Sequence, residues 1–128
     1  MDPISDLIIR IKNASNARHE TVTMPYSKIK AAICDLLAKE GYIKGATKKG
    51  KKINKYLEVE LLYKDAKPRI SDVKRISHLG KRVYKKVSDI KPVRNNFGAL
   101  VLSTPSGILT GKEAVKEKVG GEALFEIW

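Results

Sequence analysis

The chain has 128 residues, 42% of them hydrophobic, and its 26 Lys and Arg against 14 Asp and Glu leave a formal charge of +12. That apolar share is enough for a real core and excludes a disordered chain, while no apolar run approaches the roughly 20 residues that cross a bilayer. The length suits one compact unit or two small lobes, and a single cysteine, Cys34, cannot close an internal disulfide, so a reducing, cytoplasmic setting is expected.

The opening MDPISDLIIRIK puts acids where a secretory signal needs bases, so no such signal is expected. Asp2 before Pro3 predicts an N-cap with proline at the first helical position, and Ile4, Leu7, Ile8 and Ile11 recur at helical spacing. Thr21–Met24 reads as a short strand halted by Pro25. Ser27 caps a second predicted helix, with Ile29, Ile33, Leu36 and Leu37 as its stripe and Gly41 as its stop. Tyr42–Ile43 starts a strand, and GATKKGKKIN at 45–54 reads as a loop. From Tyr56 to Tyr63 the pattern alternates, with Leu57, Val59 and Leu61 on one face. Helix, strand, helix, strand, strand closes a small α/β lobe around one sheet.

Lys64–Pro68 is polar, short and ends in proline, which places a linker there and divides the chain into lobes 1–64 and 65–128. Beyond it, Arg82–Tyr84 reads as extended, and Lys85–Asn96 as a turn or a short helix broken by Pro92. Ala99–Leu102 is a strand buried on both faces, TPSG a turn, and Ile108–Leu109 its return. Thr110 to Glu113 forms a capping box whose helix ends at Gly120–Gly121, before a last strand over Ala123–Trp128. The expected class is α+β, an α/β amino-terminal lobe followed by a β-rich lobe with a short helix.

The charge is uneven. Residues 39–55 hold seven Lys and one Glu, and residues 67–94 hold ten Lys or Arg and two Asp. Such blocks are either solvated faces or grips on phosphate backbones, where each neutralised phosphate releases condensed counterions. Neither block is an amphipathic helix with a Trp, Phe or Leu face, which argues against a membrane surface.

Catalytic chemistry has little to work with. His19 and His78 are isolated and read as surface residues, and Cys34 lies within an apolar stripe, as a small core residue does. One Cys and two distant His do not make a zinc site. GATKKGKK fits the first seven positions of a phosphate-binding loop, but Lys52 lacks the hydroxyl and a strand pattern follows where a helix is required. Its lysines suit nucleic-acid backbones as point charges. Ser103, Thr104 and Ser106 around Pro105, closed by Gly107, offer hydroxyls suited to bases, 2′-OH groups and phosphates. A plain turn with the hydroxyls satisfied locally is the alternative.

GALVLSTPSGILTGKEA at 98–114 and KVGGEALFEIW at 118–128 resemble the bacterial small-subunit ribosomal protein S8 family. DPISDLIIRIKNA at the start and RVY at 82–84 resemble its opening and its central segment. The resemblance implies a two-lobed, non-enzymatic protein that binds a helical stem in the central domain of small-subunit rRNA and acts early in assembly. Its implied partners are that rRNA and neighbouring small-subunit proteins, with no cofactor, metal, membrane or small-molecule substrate. By the same resemblance Ser103, Thr104, Ser106 and Gly107 meet an irregular part of the stem. Tyr84 lies beside that loop, Glu122 helps position it, and Lys28 and Lys30 approach the RNA backbone. Two positions depart from the common pattern: Pro105 replaces a serine, and Val115 stands where a base is frequent. A general basic chaperone or duplex-binding module without a cognate site is the competing reading of the charge.

Overall fold

The computed structural model describes residues 2–91 and 98–128. Helix α1 (Pro3–Asn16) begins where Asp2 Oδ1 accepts the Ser5 amide proton at 2.8 Å, with Pro3 in the first turn, where its missing N–H costs nothing. Ile4, Leu7, Ile8 and Ile11 are buried, as their spacing predicts. Strand β1 (Thr21–Pro25) leads to α2 (Lys28–Lys39), capped by Ser27 Oγ accepting from the Lys30 amide at 3.2 Å. Gly41, at φ +81°, ends it in the left-handed conformation that glycine adopts without strain.

Strands β2 (Ile43–Lys49) and β3 (Tyr56–Leu61) form a hairpin, and β1 pairs with the other edge of β3. All pairs are antiparallel, in the order β1-β3-β2. Leu57, Val59 and Leu61 are buried, while α2 packs on β2 and α1 on β1 and α2. The loop expected from Gly45 is shorter than its composition suggests. Ala46, Thr47, Lys48 and Lys49 continue β2, opposite Val59, Glu58, Leu57 and Tyr56. Backbone pairing with β3 is indifferent to side-chain charge, and lysines suit an edge strand because they discourage further pairing. The loop proper is 50–55, closed by the Asn54 amide donating to Lys51 O at 2.9 Å.

The segment read as a linker is a hairpin. Strands β4 (Tyr63–Lys64) and β5 (Lys67–Pro68) pair across Asp65 and Ala66, both left-handed at φ 53° and 64°. The two positive φ values are those of the tight hairpin turn that Asn-Gly favours, and Asp-Ala gives little sequence sign of it. By contact density the chain divides into Met1–Ile70, which includes this hairpin, and Ser71–Trp128.

The second unit is built on one antiparallel sheet of β6 (Val73–Arg75), β7 (Tyr84–Lys85), β8 (Ala99–Thr104), β9 (Gly107–Thr110) and β10 (Gly121–Ile127). On one side β10 pairs with β8, which pairs in turn with β9; on its other side β6 takes Phe125–Ile127 and β7 takes Gly121–Glu122. A 3-10 turn covers Val87–Asp89, and the expected break at Pro92 lies outside the described residues. Leu100, Val101 and Leu102 are all buried, as a strand covered on both faces requires. Leu100, Leu102, Ala114 and Ala123 form a core joined by Ile76, Val83, Ile90 and Val119. Mixed helix and antiparallel sheet makes the class α+β.

Helix α3 (Gly111–Glu117) carries the predicted capping box, with Thr110 Oγ1 accepting from the Glu113 amide at 3.2 Å and Glu113 Oε1 accepting from the Thr110 amide at 3.1 Å. It ends earlier than expected, on Lys118 in the left-handed conformation at φ 58°. Gly120 and Gly121 serve another purpose. A Cβ on Gly120 would lie 2.4 Å from Lys85 O, and one on Gly121 would lie 2.2 Å from Ser103 O. The glycines let β7 and β8 close on the start of β10.

Candidate nucleic-acid interface

That close approach assembles the site in the second unit. Ser103 on β8 pairs with Glu122 on β10, and Glu122 pairs with Tyr84 on β7. Directly opposed residues share a face, so the three form one cross-strand row, spanning about 10 Å at normal strand spacing. Tyr84 is 71% exposed despite its ring. The Glu122 carboxylate is held through Oε2, which accepts from Ser77 Oγ and from Arg82 Nη1 at 3.2 Å.

Next to the row, β8 turns into β9 through Pro105 and Ser106, with Thr104 opposite Gly107. Proline fixes the first turn position, and Gly107 takes φ +110°, which a side chain would resist. The Thr104 hydroxyl is a staple: it donates to Gly107 O at 2.8 Å and accepts from the Ser106 amide at 3.1 Å. The local-turn reading therefore holds for Thr104. It does not hold for Ser103 or Ser106, whose hydroxyls make no hydrogen bond among the described residues. Tyr84, Ser103, Thr104, Ser106, Gly107 and Glu122 are thus gathered by one sheet.

The first unit holds the other two expected residues, and they differ. Lys28 is exposed at the start of α2. Lys30 is 5% exposed, and its Nζ donates to Asp6 Oδ2 at 2.8 Å and to Pro25 O at 3.3 Å. Lys30, expected near an RNA backbone, in the folded chain uses its charge to tie α2 to α1. Helical spacing turns Lys28 and Lys30 to different faces, and only the fold places Asp6 under one of them. Arg10, 2.8 Å from Asp6, and then Lys30 hold the Asp6 carboxyl below its usual value of 3.8.

The lysines of 39–55 also divide. Lys48 Nζ lies 4.3 Å from the Tyr26 ring centre, and Lys49 pairs with Glu58, which raises the Lys49 ammonium's pKa. Lys51, Lys52 and Lys55 are exposed at the hairpin tip and pair with no acid among the described residues. The sequence reading missed Ser77, which reaches Glu122 from 45 residues away with no local pattern to mark it. His19 and His78 are exposed, and burial of Cys34 pushes its thiol to about 12. Among the described residues, no three His, Cys, Asp or Glu side chains are grouped to hold a metal ion, and no helix is long and apolar enough to cross a membrane.

The family described as Ribosomal protein S8 matches residues 2–128. The chain belongs to the ribosomal protein S8 family. Proteins named small ribosomal subunit protein uS8 are similar to it along nearly their whole length. The one from Mycoplasmopsis agalactiae is 47% identical over 127 residues, covering 99% of this chain and 97% of the relative. That from Corynebacterium glutamicum is 44% identical over 128 residues with the same coverage, and that from Dictyoglomus thermophilum 46% over 127. Ribosomal protein S8 is a structural protein, not an enzyme.

Proposed function

We propose that this chain, by family a constituent of the small ribosomal subunit, binds directly to a helical stem in the central domain of small-subunit rRNA and promotes subunit assembly. The observation that carries this reading is the Ser103–Glu122–Tyr84 row beside the stapled Thr104–Gly107 turn. An A-form stem hides its base edges in a deep groove, so a folded protein recognises its shallow minor groove, its 2′-OH groups and its irregular, unstacked bases. Ser103 and Ser106 supply open hydroxyls for that purpose, and the exposed Tyr84 ring supplies a stacking face. Glu122 orients the row, while Thr104 and Gly107 shape the turn.

Affinity comes from a different chemistry. Lys28 and the tip lysines of the first unit, with Lys74, Lys81, Lys86 and Lys91 of the second, are exposed and suit phosphates. Neighbouring small-subunit proteins complete the set of partners.

Filter binding to a central-domain stem fragment and to an unrelated duplex, repeated as salt rises, tests the reading. Preference for the stem that survives at high salt is the expected result. Equal binding to both duplexes leaves only a basic duplex-binding module.

A further inference from the structure

Ser77 is fully buried, on a segment that leaves β10 and returns to it. Its amide donates to Ala123 O at 3.1 Å, and on the return the Ala123 amide donates to Val83 O at 2.9 Å. Between these points the chain folds on itself, with His78 and Lys81 exchanging backbone hydrogen bonds at 3.1 and 3.0 Å around Leu79 and Gly80. The Ser77 hydroxyl closes the base of this finger twice: it donates to Glu122 Oε2 and accepts from the Val83 amide at 3.2 Å. Arg82 reaches the same carboxylate oxygen from the exposed side at 3.2 Å.

We infer that Ser77 is a positioning residue for RNA binding, acting through Glu122 and the Val83 amide to fix where Tyr84 stands in the row. The inference rests on the proposed rRNA contact of Tyr84. β7 is only two residues long, too short to hold its own register, and Tyr84 begins it. The residue before it is anchored by Ser77, and the residue opposite it, Glu122, is anchored by Ser77 and Arg82. One buried hydroxyl therefore joins the two neighbours that define the position of the exposed ring. Without it, the Val83 N–H loses its acceptor and Glu122 keeps only a half-exposed arginine.

The test is a four-member cycle of the full chain: wild type, Ser77→Ala, Tyr84→Ala and the double variant, titrated with the central-domain stem fragment. Ser77→Ala is expected to weaken binding about five- to tenfold in the wild-type background and by no more than about twofold in the Tyr84→Ala background. Equal losses in both backgrounds, or no loss in either, overturn the inference. Tyr84→Ala binding as tightly as wild type sinks the Tyr84 contact instead. The clamp itself is then read by amide exchange at 83–85, which Ser77→Ala must accelerate if it holds that strand. If Ser77→Ala does not fold, the near-isosteric Ser77→Cys replaces it in the cycle and must likewise lose most of its effect on the Tyr84→Ala background.

Discussion

Lys30 Nζ lies 2.8 Å from Asp6 Oδ2, so this base near the start of α2 is engaged between two helices. Lys30→Met is expected to lower stability by about 1–3 kcal/mol and to leave the salt dependence of RNA binding unchanged. Lys28→Ala, in contrast, should leave the unfolding midpoint alone and reduce the slope of log affinity against log salt by about 0.7–0.9. Urea denaturation and a salt titration of the two variants separate these outcomes.

The same pair sets an acid limit. Asp6 is held below 3.8 in the folded chain, by Arg10 first and Lys30 second, so its contribution is complete above that value and disappears as pH falls through its folded pKa. Asp6→Asn should therefore lose stability at pH 6, and its deficit against wild type should shrink at pH 3. Denaturation midpoints at the two pH values check the sign.

Gly121→Ala is expected to destabilise the second unit by about 1–3 kcal/mol and to impair RNA binding, because the added carbon meets Ser103 O at 2.2 Å. Gly45→Ala is the control, since nothing lies within 4 Å of its added carbon. A neutral Gly121→Ala would remove the close approach as the reason for glycine.

The two loop hydroxyls should separate in function. Ser103→Ala removes an open hydroxyl and should weaken stem binding with no change in melting. Thr104→Val breaks the staple to Gly107 and Ser106, and Thr104→Ser restores it. Binding and thermal melts of the three variants decide, and a Thr104→Ser as weak as Thr104→Val counts against the staple.

Among the lysines of the β2–β3 hairpin, Lys51→Ala with Lys52→Ala should flatten the salt slope more than Lys48→Ala with Lys49→Ala. Lys49 is already paired with Glu58, and Lys48 already lies on the Tyr26 ring. Equal slopes for the two double variants would mean that these internal contacts open on binding.

With its thiol buried and pushed to about 12, Cys34 should resist a disulfide reagent at pH 8 in the native chain. Its labelling should appear only as the first unit unfolds in urea. Rapid native labelling would show α2 opening locally.

The helix starts at Asp2 and Ser27, the capping box at Thr110 and Glu113, and the buried alternation of Leu57, Val59 and Leu61 were legible because each depends on residues a few positions apart. The hydroxyl loop was legible as a motif, and the residues that the resemblance named on β7, β8, β9 and β10 fall on one sheet. The hairpin at Asp65–Ala66 was not, because two non-glycine residues take left-handed conformations that neighbouring strand pairing enforces. Nor was the extension of β2 through its lysines, since an edge strand with exposed side chains has no burial pattern to read.

Sequence by itself therefore determined the helices and the buried strands, the excess of positive charge and the chemical character of the loop, all short-range or compositional properties. Tertiary structure decided which lysines remain available, why Gly120 and Gly121 must lack side chains, and that Ser103, Glu122 and Tyr84 stand in line. Those outcomes depend on backbones and charges that meet only after distant segments pair, and no local period records where such partners will lie.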